Sequence, residues 1–537
     1  MSQYPTQVDA VVVGAGPNGL VAANALSDAG WDVLVLEANE AIGGAVRSAE
    51  IVREGYVSDL YSAFYPLAAA SPVIRHLELE RHGLHWEHAP DVLAHPLEDG
   101  RCALLSRSLD RTTANLESFA AGDGDAWAEL FALWQRVRDP LLDALFTPFP
   151  PVVSMLRMLR RLGTADALDT ARFLALPVRR MAKERFSGDG AMLLLSGNAL
   201  HADVMPDATV SGALGWLLCM LGQDVGFPVP RGGAQQLADA LAARASRAGA
   251  DIRVASRVSR ILLEGGRASG VRLEDGSTVR ARRAVLADVS APSLYRDLVG
   301  TELLPAVLRR RLERFEPDWP TLKLNWALDR PVPWSATEAT GAGTVHLGVD
   351  PDGFVDFAGQ MSKGEAPERP FVLFGQMTTS DATRSPAGTE SAWAYTHLPR
   401  EVAQDEAEVA RHTDRVEQAV ERVAPGFLDS VTGRVVQTPS GLEASDANLL
   451  NGAVNGGTSA LHQQAIFRPV PGTGRPQTPF AGLYLSSAAA HPGGGVHGAP
   501  GWNAANAALH DNGPLGPLRR ALHRTVWARL LTSRSGV

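Results

Sequence analysis

Cysteine is nearly absent. The 537 residues carry two, Cys102 and Cys219. They form no CxxC pair, no zinc spacing and no disulfide framework. A dithiol reductase, whose chemistry needs two adjacent thiols, is excluded. The scarcity fits a reducing compartment. Positive charge is also short, with a formal net charge of −9. A general nucleic-acid binder would carry a basic face instead. Long apolar runs are missing too. The apolar stretch at 208–223 is glycine-broken and falls short of the about 20 residues a spanning helix needs. The N-terminus has no basic segment before its first apolar run, so that run reads as a strand, not a signal peptide. The expectation is a cytoplasmic protein. At 45% hydrophobic residues, a chain of this length predicts two large domains, and they can be interleaved.

Glycine, by contrast, is placed with purpose. In "DAVVVGAGPNGLVAANALSDAGWDVLVLEA" an apolar run at 10–13 suits a buried parallel strand. Gly14, Gly16 and Gly19 then spell GxGxxG, with Pro17 and Asn18 between them, and 20–27 continues as a helix. The first glycine makes the tight turn, the second lets backbone approach a pyrophosphate, and the third lets helix and strand pack closely. The helix N-terminus offers free N–H groups and a positive dipole end. A second β-rich run, 31–36, ends in Glu37, where a carboxylate can take an adenosine ribose. These parts together predict a dinucleotide site. The next residues, "ANEAIGGAVRS", contain Gly43, Gly44 and Arg47. They resemble the extended motif of FAD-binding flavoproteins, whose loop runs along the cofactor, and an NAD-only domain has no need of it.

No second GxGxxG follows a strand downstream, so no separate nicotinamide domain is expected. Instead, Gly232–Gly233 precede an amphipathic helix at about 234–248, with Leu237, Ala240, Leu241 and Ala245 on one face. Strands follow at 252–255 and 258–264, then a hairpin turning at Asp275–Gly276 and a buried strand at 284–287. Near the end, "FAGLYLSSAAAHPGGGVHGAPGWNAANAAL" reads as a strand, a glycine loop and a helix from about 502 to 509. Small residues let backbone amides reach a flat ring. The helix N-terminus favours the negative charge of a reduced flavin.

These three segments resemble the phytoene desaturase-like branch of the flavin amine oxidase superfamily, which includes bacterial carotenoid desaturases, carotenoid isomerases and retinol saturase. Within it, the pyridine nucleotide-disulphide oxidoreductase domain 2 proteins are most similar. "RPVPGTGRPQTPFAGLYLSSAAAHPGGGVHGAPGWNAA" resembles their C-terminal signature; "GNALHADVMPDATVSGALGWLL" and "GFPVPRGGAQQLADAL" resemble their central blocks. The resemblance implies an α/β fold, with a glutathione-reductase-type FAD-binding Rossmann domain and an interleaved α+β substrate domain. The FAD domain would take 1–75, 225–300 and 471–512. A helical insertion would fill 76–224, and mixed strands and helices 301–470. A basic amphipathic helix would close the chain at 513–537. FAD would be the cofactor. Val258 would meet adenine through its backbone. Ser487, His491, Gly494, Gly495, Val496, Gly498 and Asn503 would border the flavin. One departure stands out: many relatives carry an acid after the last strand, to hold the ribityl hydroxyls, where this chain has Ser486–Ser487.

The substrate is expected between the two domains, against apolar walls. Lys323, in the alternating strand "TLKLNWALD", would be costly facing inward unless paired. In the superfamily's amine oxidases a lysine on a comparable strand holds a water near the flavin, and the resemblance gives Lys323 that catalytic role. A solvated strand lysine is the other reading. His497 is a candidate acid, base or proton relay, while His491 shapes the turn before Pro492. No metal is expected. The basic helices at 154–161 and 518–531 fit an anionic bilayer, their own protein or a second subunit. The leading expectation is hydride transfer from a C–H bond of a hydrophobic, carotenoid- or lipid-like molecule, with oxygen or a quinone as electron acceptor. An amine or amino-acid oxidase is an alternative, set back by the absence of tyrosine from the flavin loop. A redox-neutral isomerase is another. A GDP-dissociation-inhibitor-like lipid binder is disfavoured by the intact glycine motifs.

Overall fold

The computed structural model describes residues 4–532. Strand β1 (Gln7–Val13) runs into helix α1 (Pro17–Asp28), and β2 (Val33–Leu36) returns parallel to β1. Pro17 opens α1, where a missing N–H costs nothing and the fixed φ is already helical. Residues from Asn18 to Ser27 are all buried, as expected of a helix covered on both flanks.

The chain then leaves this domain. It lays down β3 (Asp91–Pro96) and β4 (Cys102–Leu105) as an antiparallel pair. Four principal helices follow: α2 (Asp123–Phe146), α3 (Val152–Ala175), α4 (Gly190–His201) and α5 (Ser211–Asp224). The helical reading of 76–224 is therefore corrected at 91–105, where Val, Leu and Ala build the last two strands at one side of the second sheet. Gly163, at φ 76°, breaks α3 into two pieces.

Next come α6 (Gln235–Arg247), β5 (Asp251–Arg253), β6 (Val258–Glu264), β7 (Arg267–Leu273) and β8 (Thr278–Ala287). The second domain resumes with β9 (Thr321–Leu328), β10 (Ala342–Leu347), β11 (Val372–Gln376), β12 (Glu390–His397) and β13 (Val431–Gln437). The chain ends with β14 (Leu483–Leu485), α7 (Ala499–Asp511) and α8 (Gly516–Leu531).

Two sheets result. The first has order β6-β7-β8-β1-β2-β5, with β14 joined in parallel to the far end of β8. β1 is parallel to both neighbours, and its apolar run at 10–13 is buried on both faces. The second has order β13-β9-β12-β11-β10-β3-β4 and is antiparallel except at β10–β3. β9 divides its side chains by face. Leu322, Leu324, Trp326 and Leu328 enter one core; Thr321, Lys323 and Asn325 point the other way, by the two-residue period of a strand. Among the described residues, no helix is long and apolar enough to cross a membrane.

Candidate functional site

The first sheet brings the three expected segments to one edge. Gly14 turns the chain at φ +97°, a conformation glycine adopts without cost. A Cβ at Gly19 would overlap the Gly14 carbonyl oxygen. Glu37 ends β2 with its carboxylate fixed by backbone: Oε2 accepts from Ala15 N at 2.8 Å, and Oε1 accepts from Asn39 N at 2.8 Å. Gly43 and Gly44, both at positive φ, fold over this loop, and a Cβ on Gly44 would stand 3.2 Å from Gly16 Cα. Arg47 donates to the Gly44 carbonyl at 3.0 Å, the Tyr61 hydroxyl at 2.5 Å and the Ser445 carbonyl at 3.1 Å. Arg47 therefore ties the loop to two other segments. Val258 begins β6, two residues beyond Ser256, whose N–H donates to the Glu37 carbonyl at 2.7 Å.

At the C-terminal segment, Gly494, Gly495 and Val496 lead through Gly498, at φ +73°, into the N-terminus of α7. Helix α7 lies directly on α1. A Cβ at Gly501 would overlap the Asn18 carbonyl oxygen. Some expected cofactor contacts are turned elsewhere. Asn503 Nδ2 donates to the Phe146 carbonyl at 3.0 Å. Ser487 Oγ donates to the Val289 carbonyl at 2.6 Å. His491 Nε2 stands 3.1 Å from the Thr147 carbonyl oxygen, and burial lowers its pKa to about 4. His497 is buried against Phe146, its Nδ1 accepts from Ala499 N at 3.2 Å, and burial lowers its pKa to about 3. A neutral imidazole with Nδ1 engaged presents an Nε2–H donor, not a base.

Lys323 is buried, not solvated. Its ammonium donates to the carbonyls of Asp59 at 2.5 Å and Tyr61 at 3.2 Å, and lies 5.2 Å from the Trp393 ring centroid. Burial lowers its pKa to about 7, against the opposing charge of Asp59. Asp59 is itself clamped. Its Oδ1 accepts from Arg384 at 3.0 Å, Ser48 Oγ at 2.7 Å and Ala234 N at 2.8 Å. The Arg384 side chain, fully buried, also pairs with Asp381 at 2.8 Å. Lys323 thus joins the second sheet to the residues 59–61 that Arg47 joins to the glycine loop.

Sequence reasoning missed two groups. Asp288, one residue past β8, accepts from Gly19 N at 2.7 Å, at the N-terminus of α1. Burial, aided by the charges of Glu37 and Asp446, raises its pKa to about 8 despite that bond. The second group is Asp203, Asp318, His397 and Asn455. His397 Nε2 stands 2.5 Å from Asp203 Oδ1. Asn455 Nδ2 donates to both Asp203 and Asp318. Burial and the Asp203 charge push the Asp318 pKa well up. A Cβ at Gly494 would stand 2.5 Å from Asn455 Oδ1, so this cluster abuts the glycine loop. Four separate segments supply it, and no spacing in the sequence signals it.

The profile of flavin containing amine oxidoreductases matches residues 18–509. This chain belongs to that family. A mouse pyridine nucleotide-disulfide oxidoreductase domain-containing protein 2 is 31% identical over 551 residues, covering 94% of each chain. A hydroxyneurosporene desaturase of Cereibacter sphaeroides is 30% identical over 523 residues, covering 93% of this chain and 97% of its own. The crystal structure of an oxidoreductase from Methanosarcina mazei superposes with a TM-score of 0.63 at 17% identity, over 93% of this chain and 99% of that one. The chain is an FAD-dependent oxidoreductase.

The residues fit FAD. Gly14, Gly16 and Gly19 of the cradle have no room for a Cβ. Ser486 Oγ is buried with no protein partner among the described residues, a vacant bonding capacity suited to a ligand hydroxyl. A neutral Asp288 at pH 7 removes a like charge from beside a diphosphate. Bound FAD supplies an acceptor for an electron pair.

Proposed function

We propose that this enzyme dehydrogenates a C–C single bond of an apolar or amphipathic molecule, forming a C=C bond. The observation that carries this reading is Lys323: a buried amine, near neutral pKa, on the sheet face that meets residues 59–61. It can hold a water or take a proton without carrying a fixed charge into an apolar site. The surroundings support an apolar substrate. Leu67 packs on Gly495, Phe146 on His497, and Phe64 lies 6.1 Å from Trp393. The glycine loop itself carries no tyrosine or phenylalanine to frame an amine. A relative named for desaturating hydroxyneurosporene, a substrate with both apolar and hydroxyl parts by its name, supports the same class.

Anaerobic mixing of the FAD-loaded enzyme with a panel of polyenes, terpenes and fatty alcohols tests this. The expected result is bleaching of the flavin band and a product two mass units lighter. Peroxide release with simple amines, and no bleaching by any lipid, would overturn it.

A bilayer would deliver such a substrate. Val152, Val153, Met155 and Leu156 of α3 and Leu518 and Leu522 of α8 are exposed. Arg157 and Arg161 already pair with Asp143 and Asp139, so α8 offers the stronger basic face. Removing 514–537 is expected to lower co-sedimentation with anionic vesicles; unchanged binding would reject this surface.

A further inference from the structure

The second domain reaches back over the glycine cradle. After β13 the chain forms a short helix, Pro439–Ser445, and then turns through residues 446–449. Hydrogen bonds fasten this turn to the FAD domain on two sides. Arg47 donates to the Ser445 carbonyl at 3.1 Å, and the Tyr61 hydroxyl donates to Ser445 Oγ at 2.9 Å. Asn448 Oδ1 accepts from Ser290 N at 2.8 Å, and its Nδ2 donates to the Asp288 carbonyl at 3.1 Å. Arg47 and Tyr61 follow the first glycine motifs, while Asp288 and Ser290 follow β8. The turn therefore bridges two of the three stretches that build the FAD domain.

Between these fastenings lies Asp446, which is only 6% exposed. Its Oδ1 accepts from Asn448 N at 3.0 Å; its Oδ2 makes no hydrogen bond among the described residues. Arg47 is committed to Gly44, Tyr61 and Ser445 and reaches Asp446 only through its charge. The free oxygen is aimed at the cradle. The point where a Gly44 side chain would begin lies 3.7 Å from Asp446 Oδ2 and 3.9 Å from Gly16 N. Gly16 is the glycine at which backbone approaches a pyrophosphate. The charge of Asp446 also acts, with that of Glu37, on Asp288.

Packing gives no reason for an acid here. Leu442 and Leu449, on either side, join Tyr61 in a small apolar cluster, so burial alone would favour an apolar residue at 446. A buried carboxyl with an unfilled oxygen is costly unless a ligand completes it. The chemistry of FAD decides which part does so. A diphosphate repels a carboxylate, whereas a hydroxyl donates to it. FAD carries hydroxyls on the adenosine ribose and on the ribityl chain, one on each side of the diphosphate. The ribose belongs to Glu37 at the end of β2. The ribityl chain, which leads from the diphosphate to the flavin ring, is left for Asp446.

We propose that Asp446 is a fourth FAD contact, supplied by the second domain, whose carboxyl accepts a hydrogen bond from a ribityl hydroxyl, with Asn448 as its positioning residue. Burial raises the Asp446 pKa, opposed by the Asn448 amide and the Arg47 charge; in either protonation state the carboxyl can accept from a hydroxyl. The cofactor site is then complete only when the second domain is docked. The contact does not depend on which reaction the flavin performs.

The test compares FAD with ADP, which has the adenosine and the diphosphate but no ribityl chain. Calorimetry on the deflavinated protein reads both affinities, and fluorescence of released FAD reads its loss from the holoenzyme. In Asp446→Ala, FAD should bind at least tenfold more weakly and leave faster, with ADP affinity kept within twofold. Asp446→Asn, which keeps an acceptor oxygen, should lose less. Asn448→Ala should weaken FAD too, and the double variant should be no weaker than Asp446→Ala alone, because both residues act through one contact. Should Asp446→Ala fail to fold, Asp446→Ser, whose side chain is too short to reach, carries the same expectation. Unchanged FAD affinity in the variant that folds overturns the contact. An equal loss for ADP overturns it by placing the carboxyl on the diphosphate. Tighter FAD binding overturns it by marking Asp446 as a repelling charge. Failure to bleach the flavin with any lipid would sink the dehydrogenation reading and leave this result standing.

Discussion

Lys323 is held by two main-chain carbonyls and no carboxylate, so its proton is easily lost. Methionine matches its stem and removes that function. Lys323→Met should retain FAD and slow anaerobic flavin reduction by about 10²–10⁴-fold, the usual range for a general acid or base. Rapid-mixing absorbance with a substrate from the lipid panel reads this directly. Asp288 makes a different prediction. Its pKa is raised to about 8, so the folded apoprotein binds a proton that the unfolded chain releases near pH 4. The apoprotein stability contributed by that proton is present at low pH and declines as pH rises through 8. A diphosphate at the α1 N-terminus favours the neutral acid further. FAD affinity of the wild type should therefore fall above pH 8, by up to about tenfold per pH unit for one linked proton. Asp288→Asn should remove this dependence, which fluorescence titration of FAD from pH 6 to 10 measures. These two side chains also mark the limit of sequence reading. Glu37 was legible because its glycine partners lie within one βαβ unit. Asp288 was not, because the Gly19 amide it meets is 269 positions away.

At the scale of elements, α1 and α7 pack directly on each other beside the two glycine segments expected to hold the cofactor. They approach so closely because Gly501 presents only hydrogen to the Asn18 carbonyl. Gly501→Ala should push the helices apart and cost about 1–3 kcal/mol, the range for overpacking a filled core. The measurements are urea unfolding and the fraction of FAD kept through gel filtration, both expected to fall. The βαβ unit and the hairpin at Asp275–Gly276 were legible from period and turn residues. The β3–β4 pair was not. Its strands are short and belong to a sheet whose other members come from residues 321–437, so no neighbouring segment in the sequence announces them.

For the whole molecule, the FAD domain is assembled from three separated stretches, and none is complete alone. Ending the chain at residue 513 removes α8, whose main buried anchor is Trp527. FAD affinity should then stay within about threefold. Ending it at residue 490 removes the glycine loop and α7 and should abolish FAD binding, since a ligand stabilises only the fold that forms its complete site. Equilibrium dialysis of both truncated proteins distinguishes these outcomes. By itself, the sequence determined the cofactor class, the glycine cradle and the interleaving of domains. Each depends on residue types at short, fixed spacing. Only the tertiary structure decided that Lys323 is buried, that Asp288 faces α1, and that Asp203, Asp318 and His397 meet beside the C-terminal glycine loop. Their burial and charge are set by strands and helices that lie far apart in the chain and become neighbours when two sheets share one interface.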